Sequence, residues 1–463
     1  MLIHEDRLFP ADPATRKIAK ALYAHIRSLP IVSPHGHTQA GWFARNEAFP
    51  DPSKLLVQPD HYIFRMLYSQ GVSLADLEIG KTELTNPRKV WCIFASHYYL
   101  FRGTPTRMWM DYVFQEVFGL QQRFSAKTAD LFYDTIAEKL KTPEFLPRAL
   151  YERFNLEVLA TTDSPIDSLD DHKAIRASGW KARIVPAFRP DLVVDPEFAG
   201  FSQSIVKLGE QTGEDTSSWK GYLNALRKSR QRFKELGCTS TDHGHMTAET
   251  ADLPLSEATE LFKKVFTGKA DKRERVMFQA QMLTEMAQMS MEDGLVMQIH
   301  PGSTRNHNLK VYEEYGRDVG ADIPRPTNYV DALRPLLNRF GNESKLTIIL
   351  FTLDETTYSR ELAPLAGHYP CLRLGPSWWF HDSPEGMMRF REQATETAGF
   401  YNTVGFNDDT RAFLSIPARH DVARRIDCAF LARLVAEHRL DEDEAYEVAY
   451  ELTYGLVKKA YKL

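Results

Sequence analysis

Short apolar runs rich in β-branched residues recur along this chain, and each one ends in polar side chains. The pattern predicts eight strands, at residues 31–33, 156–161, 182–188, 238–241, 295–299, 346–351, 371–374 and 403–407. Runs of this length between turn residues read as strands rather than helices. Between most of them the apolar period lengthens to that of a helix. Residues 272–291 set Val276, Phe278, Met282, Met286 and Met289 along one side, with the methionines as core filler. Residues 328–339 and 418–438 read as two more amphipathic helices. Eight alternating units predict an α/β fold with a parallel sheet closed into a (β/α)8 TIM-type barrel. A doubly wound open sheet is the structural alternative, but no G-x-G-x-x-G turn or P-loop supports a nucleotide-binding version of it.

One interval is too long for a crossover. Residues 38–150 offer no convincing strand but many aromatic and helical stretches, such as 89–101 and 106–117. They read as a mainly helical insertion after the first strand, covering part of the barrel mouth. The expected organisation is therefore 1–37 (a helix and the first strand), 38–150 (the insertion) and 151–463 (the rest of the barrel).

Composition narrows the class. A 463-residue chain has room for two or three average domains or one large barrel with insertions. A net charge of −5 lacks the basic footprint of a nucleic-acid partner. No apolar run approaches the ~18 residues of a membrane span, and the acidic start, Met1 to Arg7, lacks the pattern of a signal peptide. Cys92, Cys238, Cys371 and Cys428 show no C-x-x-C spacing and read as small buried hydrophobes. A cytoplasmic protein is the expectation.

The chemistry begins at His35-Gly36-His37, just past the first strand. In extended backbone, residues i and i+2 point the same way, so both imidazoles can face one ion. Alone, H-x-H is a weak signal. In a barrel, however, strand ends converge on one mouth, which would bring in Arg189, Asp242, His300, Trp378 and Asp409. Two histidines, a carboxylate from the last strand and a third histidine suit a mononuclear catalytic metal site. Asp409 is preferred to Asp408 because neighbouring residues point to opposite sides.

Together, His35-Gly36-His37, Asp60-His61-Tyr62, Thr161-Thr162-Asp163, Arg189-Pro190-Asp191, His300 with Arg305-Asn306-His307-Asn308, Trp378-Trp379-Phe380 and Asp409-Thr410-Arg411 resemble the uronate isomerase family. That family lies in the amidohydrolase superfamily, and residues 376–388 and 404–425 look closest to its proteobacterial branch. The resemblance runs from about Asp6 to the end of the chain. It implies interconversion of D-glucuronate with D-fructuronate, and of D-galacturonate with D-tagaturonate, by proton transfer through a cis-enediol. It also implies His35, His37 and Asp409 as metal ligands, with His300 close by or coordinating. His61, Tyr62, Asp242 and Asp409 would handle protons, and Arg189, Arg411, Arg305, Trp378 and Trp379 would bind substrate. The expected cofactor is one divalent ion, zinc first on ligand type. The expected partners are a hexuronate and other copies of the chain, with no nucleic acid and no membrane. Two stretches depart from the family pattern: Arg305-Asn306-His307-Asn308 stands where other members have three consecutive asparagines, and Phe351-Thr352-Leu353-Asp354 lacks the Pro-Arg pair of other branches.

Two rival functions share these residues. A metal-dependent hydrolase, or a decarboxylase, would use the same ligands. Yet Thr241-Asp242 stands at the end of the fourth strand, where a binuclear hydrolase carries a lysine. A non-catalytic sugar-acid binding protein would need the arginines and tryptophans but no metal ligands.

Overall fold

The computed structural model describes residues 2–463. Seven of the eight expected strands form one sheet: β1 (Ile31–Ser33), β2 (Leu156–Asp163), β3 (Arg183–Phe188), β4 (Ser240–His243), β5 (Val296–Ile299), β6 (Ile348–Leu350) and β7 (Leu372–Leu374). All pair in parallel, and their order in space is their order in the chain. Every crossover therefore steps in the same direction and the sheet curls. A doubly wound sheet would reverse at a switch point. β1, β4, β5 and β6 are buried at every position, as a parallel sheet covered on both faces requires.

The eighth run departs from expectation. Residues 403–407 make a single bridge, Thr403 to Leu374, before the ladder stops. Gly405 explains the break: it adopts φ +76°, and a Cβ there would meet the Leu452 carbonyl at 2.6 Å. Beyond it the chain crosses toward β1, where the His37 N–H donates to the Thr410 carbonyl at 3.0 Å. The sheet is thus a curled half-barrel of seven strands, with one irregular segment across the gap.

Val32, Val158, Ala160, Val185, Val296, Ile349 and Val404 fill the interior of the curl. Val457 and Tyr461 join them from the last helix, Leu456–Tyr461. Between β1 and β2 the described residues form helices and no strand. Several of these helices carry proline in the first turn, including Pro52–Leu56, Pro87–His97, Pro105–Tyr112 and Pro147–Arg153. There the missing N–H costs nothing and the fixed φ starts the helix. Trp91, Phe94, Phe114, Phe124 and Phe132 pack together as the aromatic centre of this layer.

Several boundaries differ from the sequence reading. β4 includes Asp242 and His243 instead of ending before them. The long helix is Lys272–Asp293, opened by an Asp271/Glu274 capping box and closed by Gly294. Its Phe278, Met282, Met286 and Met289 are buried, but Val276 is exposed. The 328–339 helix shrinks to Arg334–Phe340, because Pro335 can occupy only a first turn. The helix Ile416–Ala436 is not amphipathic: wedged between Pro13–Ile26 and Pro384–Ala398, it buries Arg419, His420, Asp421, Arg424, Arg425 and Asp427. Partners inside the fold make this tolerable. Arg391 donates to Asp427 at 2.6 Å, and Arg424 donates to the carbonyls of Arg27, Leu29 and Pro30.

Candidate active site

Where the strands end, one cavity of about 870 Å³ opens. His35, His37, His61, Tyr62, Arg189, His300, Arg305, Trp378, Trp379, Asp409 and Arg411 all line it. These are the expected site residues except Asp242, which is wholly buried one layer behind. Asp354 lies elsewhere, where it caps a short turn through Thr356. The 38–150 layer contributes to the wall through Asp60, which accepts the Tyr62 N–H at 2.9 Å and so starts the helix His61–Ser69.

At the floor, two imidazoles converge on one carboxylate oxygen. His35 Nε2 lies 3.2 Å and His37 Nε2 3.1 Å from Asp409 Oδ1. The Trp378 indole N–H takes the other oxygen of Asp409. Asp409 does not pair with Arg411; that arginine instead stands 3.7 Å from Asp318. Burial works against charge on Asp409, but the two histidines outweigh it and hold its carboxyl well below the usual range. Burial also opposes the imidazolium of His35, yet Asp409 and Asp242 outweigh it and raise His35 above its ordinary value. His37 moves the other way, lowered chiefly by burial.

His300 sits beside this pair. Its ring stacks between His35 at 4.6 Å and Phe351 at 3.9 Å, with Trp378 edge-on at 4.7 Å. Nδ1 lies 2.8 Å from Asp242 Oδ1, and Nε2 is buried without a protein partner. Asp242 also accepts from Arg189 at 2.9 Å, and Arg189 donates its Nε to Asp191 at 2.8 Å. Gly244 makes this pairing possible: a Cβ there would stand 2.2 Å from the Arg189 guanidinium. Burial disfavours the Asp242 carboxylate, but Arg189 and then His300 hold it well below its normal range.

Two groups of donors have the spacing a metal ion needs: His35, His37 and Asp409, and His35, Asp242 and His300. In each group every donor atom lies within 4.8 Å of the others. The second His-x-His, His243 and His245, joins neither group, although Nδ1 of His243 and both ring nitrogens of His245 are buried without partners.

The opposite wall holds groups the sequence reading passed over. Tyr62 donates to Asp382 at 2.7 Å and accepts the Phe380 N–H at 2.7 Å, while Arg419 clamps Asp382 at 2.8 Å. Burial and the Asp382 charge keep the Tyr62 phenol well above its ordinary pKa. Asp408, on the other side of the chain from Asp409, lies 3.0 Å from His420. The one available signal was the density of charge in residues 419–427, which no amphipathic helix explains. His61 is pushed down to about 3 by burial and the Arg411 charge, so it stands neutral.

Comparison with known proteins identifies the family. The family model described as glucuronate isomerase matches residues 11–461. The chain is 63% identical over 461 residues to the uronate isomerase of Rhizorhabdus wittichii, covering all of this chain and 98% of that one. The crystal structure of glucuronate isomerase from Caulobacter crescentus superposes with a TM-score of 0.98 at 61% identity, over 99% of this chain and 97% of the other. That of Thermotoga maritima uronate isomerase gives 0.93 at 29% identity over the whole of both chains.

Proposed function

The chain belongs to the glucuronate isomerase family and interconverts glucuronate with fructuronate; from that premise we propose how its residues share the work. The observation that carries the proposal is the convergence of His35 and His37 on one oxygen of a partly buried, ionised Asp409. Two imidazole nitrogens and a carboxylate oxygen fit a divalent transition metal, zinc first, and the unpartnered Nε2 of His300 suits a further contact. When bound, such an ion supplies Lewis-acid polarisation of the sugar's carbonyl and hydroxyl oxygens.

Asp409 is the group proposed to move the proton. In the open-chain aldose its carboxylate takes the proton from C2, and the electron pair moves toward O1 to give the cis-enediolate, the anion of the cis-enediol. Asp409 then returns the proton to C1, and the O2 hydroxyl proton passes to O1, leaving the 2-ketose. Atoms and charge balance with no co-reactant. Asp409 suits a base because it stays ionised, whereas the Tyr62 phenol is held protonated between Asp382 and Phe380. His300, its Nδ1 fixed by Asp242, offers its unpartnered Nε2 as an acceptor for a sugar hydroxyl, and neutral His61 stands on the insertion side of the cavity.

For the substrate carboxylate, Arg411 and Arg305 are proposed as the clamp. Arg411 has only a loose partner in Asp318, and Arg305 spends one nitrogen on Asp322. Arg189 also faces the cavity, but Asp191 and Asp242 hold it, so its part is to fix Asp242. Trp378 and Trp379 are proposed to flank the sugar. The same reading takes in galacturonate with tagaturonate, the closed (β/α)8 barrel with 38–150 as its insertion, a cytoplasmic location and assembly of several copies. Among the described residues no helix is long and apolar enough to cross a membrane.

The test is direct. Purified protein is incubated with D-glucuronate and, separately, D-galacturonate. Formation of each 2-ketose, matched to loss of the aldose, is expected. Release of ammonia, acid or CO₂ without ketose would move the assignment to a hydrolase or decarboxylase.

A further inference from the structure

Asp409 sits on a segment that no strand ladder holds. The last bridge is at Thr403, and Asp409 itself takes φ +35°. A residue with a side chain keeps such a left-handed backbone only where its surroundings over-determine it. Side-chain anchors replace the missing ladder. Asp408 is held by His420 at 3.0 Å and the Thr410 carbonyl by the His37 N–H at 3.0 Å.

A further anchor comes from beneath the sheet. The Asn407 amide donates to the hydroxyl of Tyr461 at 3.3 Å, and that hydroxyl donates to Gln298 Oε1 at 2.9 Å. Gln298 Nε2 in turn lies 3.3 Å from Ser240 Oγ and 3.3 Å from the Thr241 carbonyl, immediately before Asp242. Tyr461 is 1% exposed and stands among valines in the interior of the curl. Phenylalanine would fill that volume without carrying a hydroxyl out of water, a cost that goes uncompensated unless the group is bonded. Its two bonds lead to the two strand ends that carry Asp409 and Asp242.

We propose that Tyr461 is a positioning residue for the isomerisation. From the last helix its hydroxyl ties Asn407 to Gln298, and so sets the backbone of Asp409 and the strand end that presents Asp242 to His300. The inference rests on Asp409 carrying the reaction as proposed above.

The test is Tyr461→Phe in the full chain, with Lys458→Met as control. Lys458, on the same helix as Tyr461, pairs with Glu157 of β2 and does not line the cavity. Tyr461→Phe should lower kcat about tenfold, with KM within about twofold. It should also weaken retention of Zn²⁺, measured by equilibrium dialysis of the protein with the metal alone. Lys458→Met should leave kcat and Zn²⁺ retention at parent values. Should Tyr461→Phe fail to fold, Asn407→Ala removes the other end of the bond and should reproduce the kcat loss. Where both fold, the double variant should cost no more than the worse single one. Unchanged kcat and Zn²⁺ retention in Tyr461→Phe would overturn the proposal. So would equal losses in Lys458→Met, additive losses in the double variant, or an unaffected Asn407→Ala. An inactive Asp409→Asn beside a silent Tyr461→Phe would sink this inference alone; a fully active Asp409→Asn would sink the reading beneath it.

Discussion

Asp242 fixes His300 from behind: Oδ1 lies 2.8 Å from Nδ1, so a neutral His300 donates its Nδ1–H in a hydrogen bond to the carboxylate and keeps a bare, accepting Nε2. In the proposed mechanism this tautomer lets Nε2 accept from a sugar hydroxyl or hold the ion. Asp242→Asn keeps the shape but removes the charge that selects it. A fall in kcat of about 10–100-fold is expected, the usual cost of losing such an outer partner. Steady-state kinetics checks this, and an unchanged kcat would remove His300 from the mechanism.

The proposed metal ligands are tested by removal. His35→Ala and Asp409→Asn should each lower bound metal and activity by about two orders of magnitude or more, with the far-ultraviolet circular dichroism unchanged. Chelation of the parent should abolish turnover, and a divalent ion added back should restore it. Full activity in metal-free protein would refute the assignment.

Arg411→Met tests the carboxylate clamp. The side chain is 40% exposed and only loosely paired, so its loss should leave the fold undisturbed. KM for the uronate should rise by the equivalent of about 1.5–3 kcal/mol, the scale of a hydrogen bond to a charged group. An unaltered KM would point to Arg305 alone.

Most of this site was legible in the sequence because strand ends converge. An i, i+2 histidine pair after β1 and an aspartate after the last run meet only if the sheet curls, and eight strand–helix units favoured that curl over an open, doubly wound sheet. Period-two alternation separates the two neighbours: Asp409 meets His35 and His37, and Asp408 meets His420. The loss of the eighth strand was not legible, since it turns on the conformation of Gly405 and on the packing of Leu452 against it. Nor was the role of Tyr461, which lies more than 50 residues from Asn407 and meets it only in three dimensions. The helix expected at 418–438 forms, but buried charge defeated its amphipathic reading, because partners on other elements satisfy what periodicity alone would place in water.

A pH prediction follows from Asp163, at the end of β2. Burial, with the charges of Asp167 and Asp171, raises its carboxyl to about 7, despite the 2.6 Å hydrogen bond from Thr161. Nearby His172, 3.7 Å away, is pushed down to about 4 by burial and supplies no positive charge. The folded pKa lies above the unfolded one, so the fold prefers the protonated acid. Its stabilising effect is complete below about 4 and is lost as pH rises through about 7. Asp163→Asn removes that dependence. Relative to the variant, the parent should lose about 2–4 kcal/mol of stability between pH 4 and pH 8, read from denaturant unfolding at each pH. Parallel stability profiles would show that folding leaves the Asp163 carboxyl at its ordinary value.

The course of the proton separates isomerase chemistry from its rivals most sharply. In the course proposed above, Asp409 takes the C2 proton and returns it to C1, and the cavity that holds it opens to solvent. A carboxylic acid that lives long enough beside water exchanges its proton. In D₂O the ketose should therefore carry deuterium at C1, seen by NMR as loss of one C1 proton signal, in a fraction set by the ratio of exchange to return. Aldose recovered before equilibrium should carry deuterium at C2. Asp409→Asn should abolish both the turnover and the labelling. Ketose formed with label by Asp409→Asn at the parent's rate would assign the proton to another group, with Tyr62 the next candidate.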